Sequence, residues 1–321
     1  MGGISNDAPR IALTELKIDP YAPAEMAGRA QTVGVNKANL DVLTTLTLAV
    51  LAGAFIALGA QLSTLAGIDS ALGWGPTRLV VGIAFSLGLI LVVIAGAELF
   101  TGNTLIVMAW LGRRVTTRKL LRNWGLAYLG NFVGAAGTVA LVYWSGQWRM
   151  AGSQVGAAAV TIANAKVNLT FSEALVRGIL CNTLVCLAVW LCFSARSNVD
   201  RIFAIIPPIA GFVASGFEHS IANMYLIPIG ILLKDRPDIT GAGQFAPTAT
   251  EQLTWQGFLW DNLVPVTIGN IIGGALLVGV VYWMVYLRPK PVATAATSHV
   301  ATPASAVSVE TTTHHDVGPD I

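Results

Sequence analysis

Charge is what this sequence has least of. Only 11% of its 321 residues are Asp, Glu, Lys or Arg, less than half the roughly 25% of an ordinary soluble domain, so a water-facing globule is excluded as the main body. Cysteine is scarce as well. Cys181, Cys186 and Cys192 all lie in one apolar run, at spacings that set no two thiols face to face on adjacent helical turns, so neither a disulfide framework nor a metal site is expected. No His-Glu-x-x-His pair, phosphate loop or other nucleophile motif occurs, which removes the common hydrolase and nucleotide-binding signatures. The basic residues form no stripe interleaved with aromatics, so nucleic acid is not an expected partner. No cofactor is expected.

What is present is apolar. Hydrophobic residues make up 54% of the chain and the mean hydropathy is +0.66. More than half of the 33 glycines fall inside the apolar runs rather than in links, where they let helices approach closely in lipid. Six runs stand out, at 42–66, 79–111, 120–144, 170–195, 202–233 and 262–287, against the roughly 20 residues a single span needs. The expected organisation is a leader over 1–41, with an amphipathic helix over 20–40, a membrane domain over 42–288 and a disordered tail over 289–321. The leader is charged and the first apolar run begins near Val42, so no cleavable signal peptide is expected ahead of it.

Runs two and five are too long for one crossing and too short for two with a solvated loop. Each carries an acidic residue near its middle, Glu98 and Glu218. A helix that enters, unwinds at its glycines and resumes solves the problem, provided the open backbone lines protein or a water-filled cavity. The halves echo each other. Gly130-Asn131 in run three matches Gly269-Asn270 in run six, and Glu98 precedes Asn103 by the same interval as Glu218 precedes Asn223. Three crossings per half is an odd number, so the halves are inverted. The expected fold is all-α: six transmembrane helices in two inverted three-helix repeats, the second and fifth broken at the midplane, where such folds hold a permeant ion.

Lys and Arg concentrate in the leader, between runs two and three (Arg113, Arg114, Arg118, Lys119, Arg122) and at Arg196 and Arg201. The positive-inside rule then puts both termini in the cytoplasm. Trp74, Trp110, Trp144, Trp190 and Trp260, near run ends, are expected in an interfacial belt against lipid.

His219 is the one histidine outside the tail, and an ionisable residue inside a membrane run points to a pathway. The Born cost of bringing a small anion into the membrane runs to roughly tens of kcal/mol before relaxation, whereas a half-helix terminus returns at most about 2 kcal/mol. Water or a proton donor must therefore accompany the ion, and imidazole is the side chain suited to that exchange. Thr101, Asn182 and Asn270 are candidate hydrogen-bond donors along the path. Lys166 is a candidate cation at its mouth, Phe85, Leu89 and Phe212 candidate apolar constrictions, and Glu98 and Glu218 candidate structural residues at the breaks. A competing enzyme reading, a serine hydrolase built on Ser215 and His219, fails at Val213, where the motif needs glycine.

Three stretches carry a family resemblance: Ala95-Gly96-Ala97-Glu98-Leu99-Phe100-Thr101-Gly102, Gly178-Ile179-Leu180-Cys181-Asn182-Thr183-Leu184-Val185-Cys186, and Gly216-Phe217-Glu218-His219-Ser220-Ile221-Ala222-Asn223. In this order they resemble the formate/nitrite transporter family, and are most similar to its formate channels. Thr183 departs from the large apolar residue usual there. The resemblance implies an aquaporin-like fold in a homopentamer with one pore per protomer, in a bacterial inner membrane. It implies formate as the permeant anion, with nitrite, hydrosulfide or a short monocarboxylate as alternatives. His219 would be the central pore residue with Thr101 and Asn270 close to it, Phe85 and Phe212 would form the apolar slit, Leu89 would match a mobile loop, and Asn182 and Lys166 would line the vestibule.

Overall fold

The computed structural model describes residues 19–243 and 250–289; the expected leader before Asp19 and the tail beyond Pro289 lie outside the described residues. Every regular element among them is helical. In chain order these are α1 (Pro23–Asn39), α2 (Val42–Ala66), α3 (Trp74–Gly96), α4 (Phe100–Leu111), α5 (Thr117–Ser145), α6 (Gln154–Val167), α7 (Phe171–Cys192), α8 (Asn198–Ala214), α9 (Ser220–Leu233), α10 (Pro237–Gly243) and α11 (Gly257–Tyr286). Five of these, α2, α3, α5, α7 and α11, are long and apolar enough to cross a membrane singly, and α4 and α9 are shorter apolar helices.

Local chemistry sets the ends. The Asp41 carboxylate accepts from Thr44 N at 2.9 Å to start α2, and Thr170 with Glu173 forms a reciprocal capping box at the start of α7, in each case serving amides that the first helical turn leaves without partners. At the far end of α5, Gly146 takes the left-handed conformation (φ +69°) that lets the chain turn away.

The breaks lie inside runs two and five, at the expected glycines. After α3, Gly96 adopts φ +81° and Ala97 to Leu99 are extended before α4 begins; after α8, Gly216 adopts φ +72° and the extended stretch ends at His219. The arms are unequal. α3 is itself 23 residues long, whereas α8 has 17 and carries Pro207 and Pro208 inside it.

The two halves repeat as helix order and as packing. α2 packs on α5 as α7 packs on α11, and α1 lies on α4 as α6 lies on α9. Backbones meet in both long pairs: a Cβ on Gly134 would come within 1.9 Å of Val50 O, and one on Gly273 within 2.2 Å of Ile179 O. No side chain larger than hydrogen fits, so the glycines fix the helix spacing. The two arms α3 and α8 lie side by side and antiparallel, with Gly82 against Ala210.

Aromatic placement is mixed. Trp74, Trp144 and Trp260 are 81%, 78% and 64% exposed, as a lipid-facing belt requires. Trp190 is buried instead, stacked on Tyr282 with ring centroids 4.0 Å apart.

Candidate functional site

Each break is held by the same set of polar groups. At the first, Glu98 takes Lys37 Nζ of α1 on Oε1 (2.5 Å) and Asn103 Nδ2 on Oε2 (2.7 Å). Asn103 also donates to Asn123 Oδ1 (2.9 Å), and Asn123 donates to the Lys37 carbonyl (3.1 Å). At the second, Glu218 takes Lys166 Nζ of α6 (2.8 Å) and Asn223 Nδ2 (2.7 Å), Asn223 donates to Asn262 Oδ1 (2.6 Å), and Asn262 donates to the Lys166 carbonyl (3.0 Å). The acids and amides are buried, and each carboxylate meets a cation as well as amide donors, the condition under which a buried charge is tolerated.

A second pair of amides ties down the extended backbone. Asn131 accepts from Phe100 N (2.9 Å) and donates to Ala49 O (2.7 Å) and Glu98 O (2.9 Å). Asn270 accepts from Ser220 N (2.9 Å) and donates to Gly178 O (2.8 Å) and Glu218 O (3.0 Å). Even the open amides match: Glu98 N reaches Leu48 O and Glu218 N reaches Arg177 O, both at 3.2 Å. These bonds replace the helical ones that the breaks forgo.

The breaks differ at the residue after the glutamate. Leu99 opens α4 with no side-chain cap. His219 caps α9, its Nδ1 accepting from Ala222 N at 3.1 Å. A neutral ring that accepts on Nδ1 carries its hydrogen on Nε2, and Nε2 lies 3.0 Å from Thr101 Oγ1 of the other half. The imidazole thus donates to the hydroxyl, which keeps its own hydrogen for an acceptor.

The Thr101 carbonyl receives Thr104 Oγ1 (2.6 Å), Asn182 Nδ2 (3.2 Å) and Cys186 Sγ (3.4 Å), so the residue's backbone is fixed from three directions. Phe212 lies over the imidazole, with centroids 6.0 Å apart and planes at 22°. Phe85 meets Phe212 edge-on at 5.5 Å. An apolar pair therefore abuts this imidazole–hydroxyl contact between the halves.

The structure brings His219, Thr101, Asn182, Phe85 and Phe212 together. Leu89 lines a neighbouring cavity of about 420 Å³ on the α1 side, with Arg29, Lys37, Gly96 and Arg201 also in its wall. Asn270 is close by but both its N–H groups are used on backbone carbonyls, which leaves it no donor for a ligand; its place is in holding the break. Lys166 differs from a free cation at a mouth, because its charge is paired with Glu218. Ser215 is exposed at the end of α8 and the His219 ring is engaged with Thr101 and Ala222, so no serine–histidine pair forms.

Lys37, Asn123, Asn131 and Asn262 are site residues that the sequence reading misses. The matched Gly-Asn pairs are the available signal for Asn131, since Asn270 could not hold one break without a counterpart at the other. The cations carry no such signal, because a lysine on a helix outside the broken run gives no hint of which buried acid it meets.

The profile of the formate/nitrite transporter family matches residues 24–284. The chain belongs to that family. It is 48% identical over 273 residues to the formate channel FocA of Escherichia coli K12, which covers 84% of this chain and 96% of the relative. With FocA of Haemophilus influenzae it shares 42% over 261 residues, covering 80% and 92%. Among solved structures it is similar to a pentameric formate channel with formate bound (TM-score 0.72, 40% identity, 77% of this chain and 98% of that one) and to an FNT family ion channel (TM-score 0.68, 28% identity, 81% and 98%). These relatives are channels and transporters, not enzymes, and the fold is that of a multi-pass membrane protein of this family.

Proposed function

We propose that this protein conducts formate across the bacterial cytoplasmic membrane, through a pore in each protomer of a homopentamer. The observation that carries the reading is the contact of His219 Nε2 with Thr101 Oγ1 at 3.0 Å, a polar pair set against Phe85 and Phe212. An anion of two oxygens needs a donor that is strong in a dry site yet carries no fixed charge that would trap it, and the Thr101 hydroxyl backed by a neutral imidazole has that character. The Phe85–Phe212 pair serves as the slit, with Leu89 beyond it. Asn182 steadies Thr101, while Glu98, Glu218 and Asn270 maintain the breaks. Lys166 stands beside the route on the α6 side, and the aquaporin-like repeat sets the two mouths.

Support for formate over nitrite, hydrosulfide or a short monocarboxylate comes from the relatives, which are formate channels at 48% and 42% identity. The pentameric assembly rests on the solved neighbour. The Lys and Arg distribution favours cytoplasmic termini, and exposed Trp74, Trp144 and Trp260 suit contact with lipid headgroups.

The test is uptake into proteoliposomes at several pH values, with formate, nitrite, hydrosulfide and lactate offered separately, for the intact protein and for His219→Asn. Asparagine can still cap α9 but lacks the ring. We expect formate to be carried with a pH dependence that the variant loses, the proton coupling being routed through the imidazole. Equal pH profiles for the two proteins would remove the histidine from the mechanism, and absence of formate uptake in the intact protein would overturn the substrate.

A further inference from the structure

Arg78, near the start of α3, has a task that neither the repeat nor the pore residues account for. Its side chain crosses to the antiparallel arm α8 and donates through Nη2 to Val213 O (2.6 Å) and through Nε to Ala214 O (3.1 Å). These are the last carbonyls of α8, at the end of an arm that stops short of His219. A helix that stops inside a protein runs out of helical amides for its final carbonyls, Val213 O meeting the turn amide of Gly216 (3.0 Å) besides Arg78, and gathers roughly half a negative charge there. In a protein that carries an anion, that end repels the cargo. Gly216 comes two residues later, with φ +72°, and a Cβ added to it would lie 3.6 Å from Arg78 Nη2, so the guanidinium abuts the turn that leads into Glu218 and His219.

The counterpart in the other half is built differently. The N-terminal turn of α8 offers Arg201, whose Nη1 is turned to Asn198 Oδ1 (3.2 Å) and which lines the α1-side cavity with Leu89, Val92 and Gly96 at the end of α3. Arg78 grips backbone; Arg201 faces open space.

We propose that Arg78 is a positioning residue for anion passage. It cancels the negative end of α8 and holds the Gly216 turn, so that the α6-side approach to His219 is electrostatically open to an anion. The inference rests on the formate-channel reading for its relevance to transport, but the local field it describes can be measured with no transported ion at all.

Ser215 is exposed and adjoins Gly216, whereas the native thiols Cys181, Cys186 and Cys192 are buried. Ser215→Cys is introduced alone and together with Arg78→Gln or Arg78→Lys in the full-length pentamer, and modification rates are measured with an anionic and a cationic methanethiosulfonate of similar size. Removing one positive charge within several ångströms changes the preference for the anionic reagent by about tenfold at low salt. We expect that drop in Arg78→Gln, its recovery in Arg78→Lys, and its shrinkage at high salt. In proteoliposomes the same order should hold for the concentration of formate at half-saturation, which rises severalfold in Arg78→Gln and returns towards normal in Arg78→Lys. An unchanged reagent preference in Arg78→Gln, or an Arg78→Lys protein as impaired as Arg78→Gln, would overturn the proposal. A normal reagent shift with no formate uptake in any protein would instead condemn the substrate assignment and leave the field effect standing.

Discussion

The two helix breaks are built on one plan and end in different chemistry. Lys37, Glu98, Asn103, Asn123 and Asn131 at the first correspond in their main bonds to Lys166, Glu218, Asn223, Asn262 and Asn270 at the second, where Asn262 makes one bond more, to Glu218 Oε2 (3.2 Å). Directly after the glutamate the correspondence stops. Leu99 stands where the other half has His219, Phe100 where it has Ser220, and Thr101 where it has Ile221. Phe100 is packed edge-on to Tyr128 at 4.9 Å, whereas the position after His219 holds a small hydroxyl side chain. The difference teaches what each group is for. Open backbone inside a membrane protein must be satisfied wherever it occurs, so the bracket is needed twice. A polar contact for a passing ion is needed once, and a second one in series would deepen the site until the ion stayed.

The largest effect should come from making the second break resemble the first. His219→Leu removes the partner of Thr101 and the α9 cap together. Without its imidazole backing the Thr101 hydroxyl is a weaker, less fixed donor, and the loss of up to one hydrogen bond to a charged ligand, about 1.5–3 kcal/mol, converts to a fall of up to roughly 10–100-fold in formate flux measured with proteoliposomes. The reciprocal change, Leu99→His, adds an imidazole where Ile221 takes the place of the threonine. It should give no gain in flux, and an increase would mean that the pathway can use either break.

Next in size are the asparagines that tie the extended backbone. Asn131→Ala and Asn270→Ala each remove two donors from backbone carbonyls and leave one amide, that of Phe100 or Ser220, without its partner in a buried setting. The expected loss is on the order of 3 kcal/mol for each, read as the thermal stability of the detergent-solubilised oligomer. If the bracket is scaffold in both halves, the two losses should agree to within about 1 kcal/mol, the error of comparing like substitutions at separate sites. A much larger effect of Asn270→Ala on flux than on stability would return that residue to the anion's route.

Replacing Glu98 or Glu218 by Gln keeps the amide contacts in part and strands a lysine. The lysine side chains are 28% and 15% exposed at Lys37 and Lys166 respectively, so water can compensate Lys37 better than Lys166. Glu218→Gln should therefore lower thermal stability more than Glu98→Gln, by about 1 kcal/mol after allowing for solvent screening. Equal effects would mean that the cations contribute less than the amides on the other carboxylate oxygen.

The architecture and half of this bracket are legible in the sequence, because they depend on features local in the chain. Run length, the glycines, the glutamate five residues ahead of its asparagine and the doubled Gly-Asn pair are such features, and each exposes a constraint on open backbone. Lys37 and Lys166 cannot be assigned to their glutamates that way, because the link is tertiary and both helices lie outside the broken runs. In the sequence α6 reads only as part of a link between spans, since fourteen residues of mostly small side chains fall short of a crossing. Its role is visible only as the counterpart of α1. Asn270 reads as a donor to the ion because an amide in an apolar run looks the same whether it serves a ligand or a carbonyl.

The smallest expected effect tests whether the plan extends to the helix that starts each crossing. α2 and α7 are equivalent, and Asp41 caps the first where Thr170 caps the second. The Asp41 carboxyl is held below its usual range, first by the Thr44 side chain and then by the Thr44 amide. A carboxyl whose pKa is lower in the folded state contributes stability that is present above its unfolded value and is lost as pH falls through the folded one. The intact protein should therefore exceed Asp41→Asn in melting temperature at pH 7, with the margin closing or reversing below about pH 4, the ordinary aspartate range. Thr170→Ala, which removes a cap of the same geometry whose hydroxyl does not titrate, should cost about 1 kcal/mol at neutral pH. If Asp41→Asn tracked the intact protein at every pH, the carboxylate would be an incidental surface group, and the caps of the two halves would differ in function as well as in chemistry.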